Sequence, residues 1–167
     1  FDTDEAKAAI RHAMDVASAA GRTVAITLSD SFCVDRHRDE WLELLADKVD
    51  LVFANEAEVG SLFLTDDFEA ASRRITDLVP MAALTRSAKG SVIVTADERI
   101  EVSASPVERV VDATGAGDLY ASGFLYGLAR GASLEHCADL GSIAAGEIIC
   151  HIGARPLVSL AELVVGQ

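Results

Sequence analysis

Strand-like apolar runs that alternate with helical segments constrain the fold of this chain more than any other feature. Such runs occupy 22–28, 50–54, 81–85 and 91–95, and a shorter alternating strand, "RIEVSAS", follows them. Continuous apolar runs are typical of strands buried on both faces, and we expect this of 22–28. Alternation of strands with helices predicts a three-layer α/β fold, a Rossmann-like parallel sheet with helices on both faces.

Helix boundaries are marked clearly at both ends of the chain. Thr3, followed by two acidic residues, predicts the start of a first helix, and Gly21 predicts its end. Near the other end, the pattern predicts two long helices over about 116–130 and 133–150, followed by a short one at "SLAELV". The 167 residues are predicted to form one domain, 1–167, with no internal repeat or linker.

The net charge and the cysteines of this chain limit the partners and the cellular location that we expect for it. The chain has 14 basic and 27 acidic residues, a net charge of −13, which argues against nucleic acid or an anionic membrane as the main partner. No apolar run approaches the ~20 residues that cross a bilayer. Cys33, Cys137 and Cys150 form no CxxC pair and no metal-ligand spacing with histidine, so reduced thiols and a cytoplasmic location are expected. The chain opens without a methionine, which suggests a piece of a longer protein.

A glycine turn before the first of the two long helices is the strongest functional signal. In "DATGAGD", Gly115, Ala116 and Gly117 open a helix whose first N–H groups are unpaired, so an anion can approach them closely. Asp118 lies in the first turn, where a carboxylate could take a proton from a hydroxyl that attacks phosphorus. The alternative is that Asp118 only favours the helix dipole and that the glycines serve tight packing.

The stretch "VVDATGAGDLYASGF" (110–124) resembles the C-terminal signature of the ribokinase-like (PfkB) family of carbohydrate and nucleoside kinases. The resemblance implies that Asp118 is the general base and that the N–H groups of Gly115, Ala116 and Gly117 form an anion hole for the phosphate of ATP. Ala113 departs from the family pattern, which often has threonine or serine there.

A second candidate site follows the strand at 50–54. Asn55 and Glu58 could face one loop cavity, and an amide with a carboxylate suits a hydrated Mg²⁺. The same spacing also fits a capping box, in which each side chain bonds the other's backbone N–H. The family resemblance, through "NEAE", implies the magnesium role, and both roles are compatible.

Two further sites are implied by the resemblance. "LTRSAKGSVIV" resembles the family's nucleotide loop, with Thr85, Ser87 and Gly90 as ATP-binding residues, although Ser87 stands where glycine is more usual. An ordinary hairpin connection is the alternative for this loop. The resemblance also implies a K⁺ site formed by two side chains and three backbone carbonyls: Asp112 and Thr114, with Ile148, His151 and Gly153.

The acceptor substrate is indicated by two segments. "TLSDSF" and "VDLVFANEAE" read like the adenosine kinase branch, so ATP-dependent conversion of adenosine to AMP is the first expectation. A sugar kinase of ribose or fructose type is the alternative, and a non-catalytic nucleotide-binding module is the alternative from another class. No GxGxxG follows the first strand, which argues against a dehydrogenase.

The resemblance covers only the C-terminal half of a typical member, without the N-terminal acceptor part and lid, and a homodimer is compatible with it.

Overall fold

The computed structural model describes residues 1–164, whose strands form a five-stranded sheet flanked by helices. The strand order is β1-β2-β3-β4-β5, and this arrangement confirms the predicted α/β class. The strands are Ala25–Thr27 (β1), Leu51–Asn55 (β2), Met81–Thr85 (β3), Ser91–Thr95 (β4) and Arg99–Val102 (β5). The helices are Asp4–Ala19 (α1), Ser31–Arg36 (α2), Arg38–Lys48 (α3), Glu56–Phe63 (α4), Phe68–Arg74 (α5), Ala116–Ala129 (α6), Leu134–Ile148 (α7) and Leu160–Val164 (α8).

Most predicted elements are confirmed, but burial of the first strand on both faces is wrong. β1 covers only Ala25–Thr27, and Ala25 and Thr27 are exposed. It lies at the edge of the five-stranded sheet and pairs in parallel with β2, Ala25 opposite Leu51. β2 has neighbours on both sides, and its residues 51–54 are buried. α2 was not predicted. Asp30 caps the start of this helix, and its side chain accepts a hydrogen bond from the Phe32 amide at 2.9 Å.

The chain divides into two compact units. The first contains residues 1–84 and 94–98, and the second contains residues 85–93 and those from 99 onward. In the first unit, Thr3 caps α1 as predicted, because its hydroxyl accepts from the Ala6 amide at 3.2 Å. Within residues 1–164, no helix combines the length and the apolar character needed to cross a membrane.

In the second unit, α6 and α7 contact each other through their backbones. A Cβ added at Gly123 would lie 2.4 Å from the Leu140 carbonyl oxygen of α7. A Cβ at Gly141 would lie 2.8 Å from the Tyr120 carbonyl oxygen of α6. The two helices therefore approach each other more closely than any residue with a side chain would allow at these positions.

Tyr120 joins α6 to β4 within the same unit. Its hydroxyl donates to the Ser91 hydroxyl oxygen at 2.7 Å, and both residues are buried. Burial raises the pKa of Tyr120 to about 12, although the hydrogen bond to Ser91 opposes this shift. The phenol therefore stays neutral at ordinary pH and serves as a hydrogen-bond donor.

We expect Gly123→Ala to lower the free energy of unfolding by about 1–3 kcal/mol, because the new methyl group meets the backbone of α7. Alanine is intrinsically better in a helix than glycine by about 1 kcal/mol, so the loss is caused by packing alone. Urea denaturation of both proteins measures it. Ser122→Ala is the control, because Ser122 is exposed on α6. Equal or higher stability of the Gly123 variant contradicts the close contact.

Candidate functional site

The start of α6 leaves backbone donors free at the predicted anion-binding turn. Gly115 is the N-cap with φ of +82°, a conformation that favours glycine. The Ala116 amide donates to the Ala113 carbonyl oxygen at 3.1 Å, and the Leu119 amide donates to the Gly115 carbonyl oxygen at 2.9 Å. Among the described residues, the amides of Gly115 and Gly117 donate to no acceptor.

Space around this turn also fits an anion. A Cβ at Gly117 would meet no heavy atom within 4 Å, so the backbone there is open to a ligand. Asp118 is exposed in the first turn of α6, beside these amides. The N–H of Ala116 was predicted to bind the anion, but in the structure it already donates to the Ala113 carbonyl oxygen. Its role in the anion hole stays a prediction that requires the bond to Ala113 to open.

The carboxylate of Asp112 holds the segment that leads into the turn. One oxygen, Oδ1, accepts from the Thr114 amide at 2.9 Å and from the Thr114 hydroxyl at 2.7 Å. The other, Oδ2, accepts from the Gly153 amide at 3.1 Å. These hydrogen bonds, those of Thr114 first, hold the pKa of Asp112 below its ordinary value. The carboxylate therefore stays ionised and ties the turn to the segment after α7.

Only part of the implied K⁺ site is brought together by these contacts. Asp112, Thr114 and Gly153 are directly joined. Within residues 1–164, no hydrogen bond links these residues to Ile148 or His151, and Ile148 is fully buried. His151 lies near enough to lower the pKa of Asp112 slightly. The K⁺ site stays a prediction.

Asn55 and Glu58 form a capping box at the start of α4, in the first unit. The Glu58 amide donates to Asn55 Oδ1 at 2.9 Å, and the Asn55 amide donates to Glu58 Oε2 at 2.9 Å. The side-chain nitrogen of Asn55 also donates to Glu58 Oε1 at 2.8 Å. The capping alternative is thus confirmed. Burial, and then the nearby Asp30, raise the pKa of Glu58, while the hydrogen bond from Asn55 opposes them.

The capping box still fits a hydrated Mg²⁺. Each carboxylate oxygen has a second lone pair that could accept from a metal-bound water, and Mg²⁺ keeps several waters. In the part of the chain that the structure describes, no group of three or more His, Cys, Asp or Glu could hold a metal ion. A Mg²⁺ at Asn55 and Glu58 therefore requires waters and substrate phosphates as its other ligands.

The predicted nucleotide loop is a tight connection between β3 and β4. Thr85 ends β3, and the Arg86 amide donates to the Gly90 carbonyl oxygen at 2.7 Å. Gly90 has φ of +88°, and a Cβ there would lie 2.0 Å from the Val102 carbonyl oxygen, so only glycine fits. Ser87 has φ of +52°, in the left-handed region, which explains why glycine suits this position better. ATP binding by this loop stays a prediction.

One buried carboxylate on α7, that of Glu147, was not among the predicted site residues. Glu147 Oε1 lies 3.2 Å from His151 Nε2 and accepts from the Leu157 amide at 2.9 Å. The Glu147 side chain is 8% exposed. Glu147 and His151 are four residues apart at the end of a predicted helix, and this spacing is the signal that could have found the pair.

The structure groups the predicted residues into two sets. Asn55 and Glu58 belong to the first unit, where they bond each other. All the others belong to the second unit, namely Thr85, Ser87, Gly90, Asp112, Thr114, Gly115, Ala116, Gly117, Asp118, Ile148, His151 and Gly153. Within the second unit, Asp112, Thr114 and Gly153 form one bonded cluster next to the glycine turn in sequence.

We expect Asp112→Asn to destabilise the protein at about pH 7, because the folded state favours the ionised carboxylate. Since the folded-state pKa lies below the unfolded value of 3.8, this stabilisation is present above that value and is lost as pH falls. The difference in urea midpoint between wild type and variant should therefore shrink towards about pH 3. Asp97→Asn, at an exposed residue, is the control. A difference that does not change with pH contradicts the assignment.

The proteins that this chain resembles include ones named as adenosine kinases or sugar kinases. The adenosine kinase from Sinorhizobium meliloti is 53% identical, with a TM-score of 0.94 over 96% of this chain and 50% of that chain. A probable sugar kinase from Rhizobium etli CFN 42 is 51% identical, with a TM-score of 0.94 over 96% of this chain and 49% of that chain. An uncharacterized sugar kinase from Archaeoglobus fulgidus is 36% identical over 115 residues, covering 68% of this chain and 45% of the relative.

The chain thus spans about half the length of these relatives. The pfkB family carbohydrate kinase profile matches residues 2–160, which is almost the whole chain. The glycine turn, the capping box and the loop after β3 all lie within this range. The family resemblance inferred from residues 110–124 is therefore confirmed, and this chain belongs to the pfkB family of carbohydrate kinases.

Proposed function

We propose that the protein containing this chain is an ATP-dependent phosphotransferase that moves the γ-phosphate to a primary hydroxyl of a nucleoside. Adenosine, converted to AMP, is the proposed acceptor. One observation carries the proposal: free backbone amides at Gly115 and Gly117 lie beside the exposed carboxylate of Asp118. An anion site with a base next to it suits phosphoryl transfer better than simple anion binding, which the negative charge of Asp118 would weaken.

The proposed reaction follows from these groups. Asp118 accepts the proton of the acceptor hydroxyl as the hydroxyl oxygen attacks the γ-phosphorus in line. The bond between the γ-phosphorus and the bridging oxygen breaks, and ADP leaves. The free amides at the start of α6 stabilise the negative charge on the transferred group, together with the helix dipole.

The remaining site residues have supporting roles in this proposal. Thr85, Ser87 and Gly90 would contact ATP from the loop between β3 and β4. Asn55 and Glu58 would hold water ligands of a Mg²⁺, which neutralises phosphate charge when it is bound. Asp112 would position the turn rather than contact substrate, since its oxygens accept from Thr114 and Gly153. A K⁺ at this position, a cytoplasmic location and a homodimer stay predictions from the sequence.

The choice of adenosine rests on sequence similarity. The similar solved structures include an adenosine kinase at 53% identity and a probable sugar kinase at 51%, so the relatives support both acceptor classes. The segments "TLSDSF" and "VDLVFANEAE" favour adenosine. A sugar of ribose or fructose type is the alternative acceptor. A non-catalytic nucleotide-binding module is less consistent with a carboxylate placed beside the free amides.

We expect Asp118→Asn in the full-length protein to lower kcat by about 10²–10⁴, because the amide cannot take the proton. ATP affinity should stay the same or rise somewhat, since the backbone amides remain and the negative charge of Asp118 is removed. Steady-state kinetics and equilibrium ATP titration measure the two effects. Glu135→Gln is the matched control, an exposed acid in the first turn of α7. Near-normal turnover of the Asp118 variant would rule out its role as the base.

We expect kcat/KM for adenosine to exceed kcat/KM for ribose and for fructose by at least about tenfold. This is a modest degree of discrimination between acceptors. Release of ADP with each acceptor measures this. The Asp118→Asn variant, prepared identically, shows how much activity comes from contaminating kinases. Higher kcat/KM with a sugar would move the acceptor to the sugar class, and ATP binding without turnover of any acceptor would favour the binding module.

A further inference from the structure

Residues 151–157, the loop that follows α7, lie against the glycine turn although the two are far apart in sequence. The Gly153 amide of this loop donates to Asp112 Oδ2 at 3.1 Å. A Cβ added at Gly115 would lie 3.1 Å from the Cβ of Ala154, so the loop lies directly against the residue that begins α6. The position of the turn therefore depends on where this loop is held.

One side chain on α7, that of Glu147, holds both ends of the loop. Residues 151–157 themselves contain no helix or strand that would fix their path. Glu147 Oε1 lies 3.2 Å from His151 Nε2, at the start of the loop, and accepts from the Leu157 amide at 2.9 Å, at its end. A single carboxyl oxygen thus closes the loop that makes both contacts with the glycine turn.

The surroundings of Glu147 are unfavourable for stability. The side chain is 8% exposed, and its other oxygen, Oε2, is buried and has no hydrogen-bond partner among residues 1–164. A buried carboxyl oxygen without a donor is costly, because it has lost water and gained no partner. Departures of this kind from good local chemistry are expected at functional positions. The position of the loop is therefore a better explanation for Glu147 than a gain in stability.

We propose that Glu147 is a positioning residue, which holds the loop after α7 against the glycine turn and so keeps the free amides of Gly115 and Gly117 aligned for the transferred phosphoryl group. Within residues 1–164, Glu147 forms no hydrogen bond with the turn itself, so it acts through Gly153 and Ala154. The kinetic consequence rests on the proposed phosphoryl transfer, whereas the placement of the turn does not.

Two changes break the same hydrogen bond from opposite sides. Glu147→Ala removes the acceptor, and Leu157→Pro removes the donating N–H without changing α7. Glu147→Gln is the conservative variant, because its carbonyl oxygen can still accept from the Leu157 amide. Leu157→Ala is the matched control, since it keeps the amide and shortens a side chain that is 74% exposed. Leu157→Pro decides the question if Glu147→Ala does not fold.

Hydrogen exchange of the full-length protein, followed by mass spectrometry, measures the placement of the turn directly. In residues 111–116, the amides of Val111, Thr114 and Ala116 each donate a hydrogen bond. We expect exchange there to become about tenfold faster in the two bond-breaking variants, because these bonds open more often when the loop is released. Exchange in residues 122–129, the later turns of α6, should not change.

The conservative variant and the matched control should both exchange like the wild type. The proposal is overturned if residues 111–116 exchange no faster in either bond-breaking variant. It is also overturned if residues 122–129 accelerate equally, since Glu147 would then only stabilise the unit as a whole. Glu147→Gln as impaired as Glu147→Ala would overturn it too, because the bond to Leu157 would not be the cause.

Steady-state kinetics gives the second readout. We expect kcat to fall about 10- to 100-fold in the two bond-breaking variants, since a small displacement of groups that stabilise charge has an effect of this size. KM for the acceptor should stay within about twofold, because the loss is confined to the transition state. An unchanged kcat, in a protein that Asp118→Asn inactivates, contradicts the positioning role. If Asp118→Asn keeps normal turnover, the proposed function fails, and exchange alone decides whether Glu147 holds the turn.

Discussion

The carboxylate of Asp112 is the interaction on which the proposed catalytic turn depends. Its two oxygens accept from Thr114 on one side and from Gly153 on the other, so one ionised group fixes two chain segments. A neighbouring backbone bond, from the Val111 amide to the Ile149 carbonyl oxygen at 2.7 Å, supports the same junction. Because the pKa of Asp112 is lowered, its carboxylate stays ionised to a lower pH than that of an ordinary aspartate.

The same residue shows how the fold positions the chemistry. Asp112 precedes α6, and Gly153 follows α7, so the tie joins the entry to one helix with the exit from its neighbour. α6 and α7 are themselves in backbone contact at Gly123 and Gly141. The free amides at Gly115 and Gly117 therefore lie at the start of a helix that is closely packed against its neighbour, and a well-supported helix start suits stabilisation of charge.

Local signals in the sequence were sufficient for most of the fold. β3 and β4 have the predicted bounds, and the glycine turn begins a helix as predicted. Apolar runs and glycine turns determine local structure through residues that are close in sequence, so they can be recognised without knowing the tertiary contacts. Burial of β1 could not be predicted in this way, since it depends on which strands lie beside it. α2 was missed because its six residues are too few to show a period.

The candidate site was only partly predictable for the same reason. The glycines and Asp118 are consecutive, so their arrangement follows from one helix start. The capping box at Asn55 was foreseen from its spacing of three residues. The bond between Asp112 and Gly153, and the contact of Glu147 with Leu157, join residues that are far apart in sequence. Pairings of this kind are products of the tertiary fold.

The contact between α6 and α7 also limits how this chain can change over evolution. The groups that exclude a side chain at Gly123 and Gly141 are backbone atoms, which no substitution elsewhere can make smaller. A larger residue at either position therefore requires the two helices to move apart or to slide past each other. Either movement would carry the first turn of α6 with it and displace the free amides of Gly115 and Gly117.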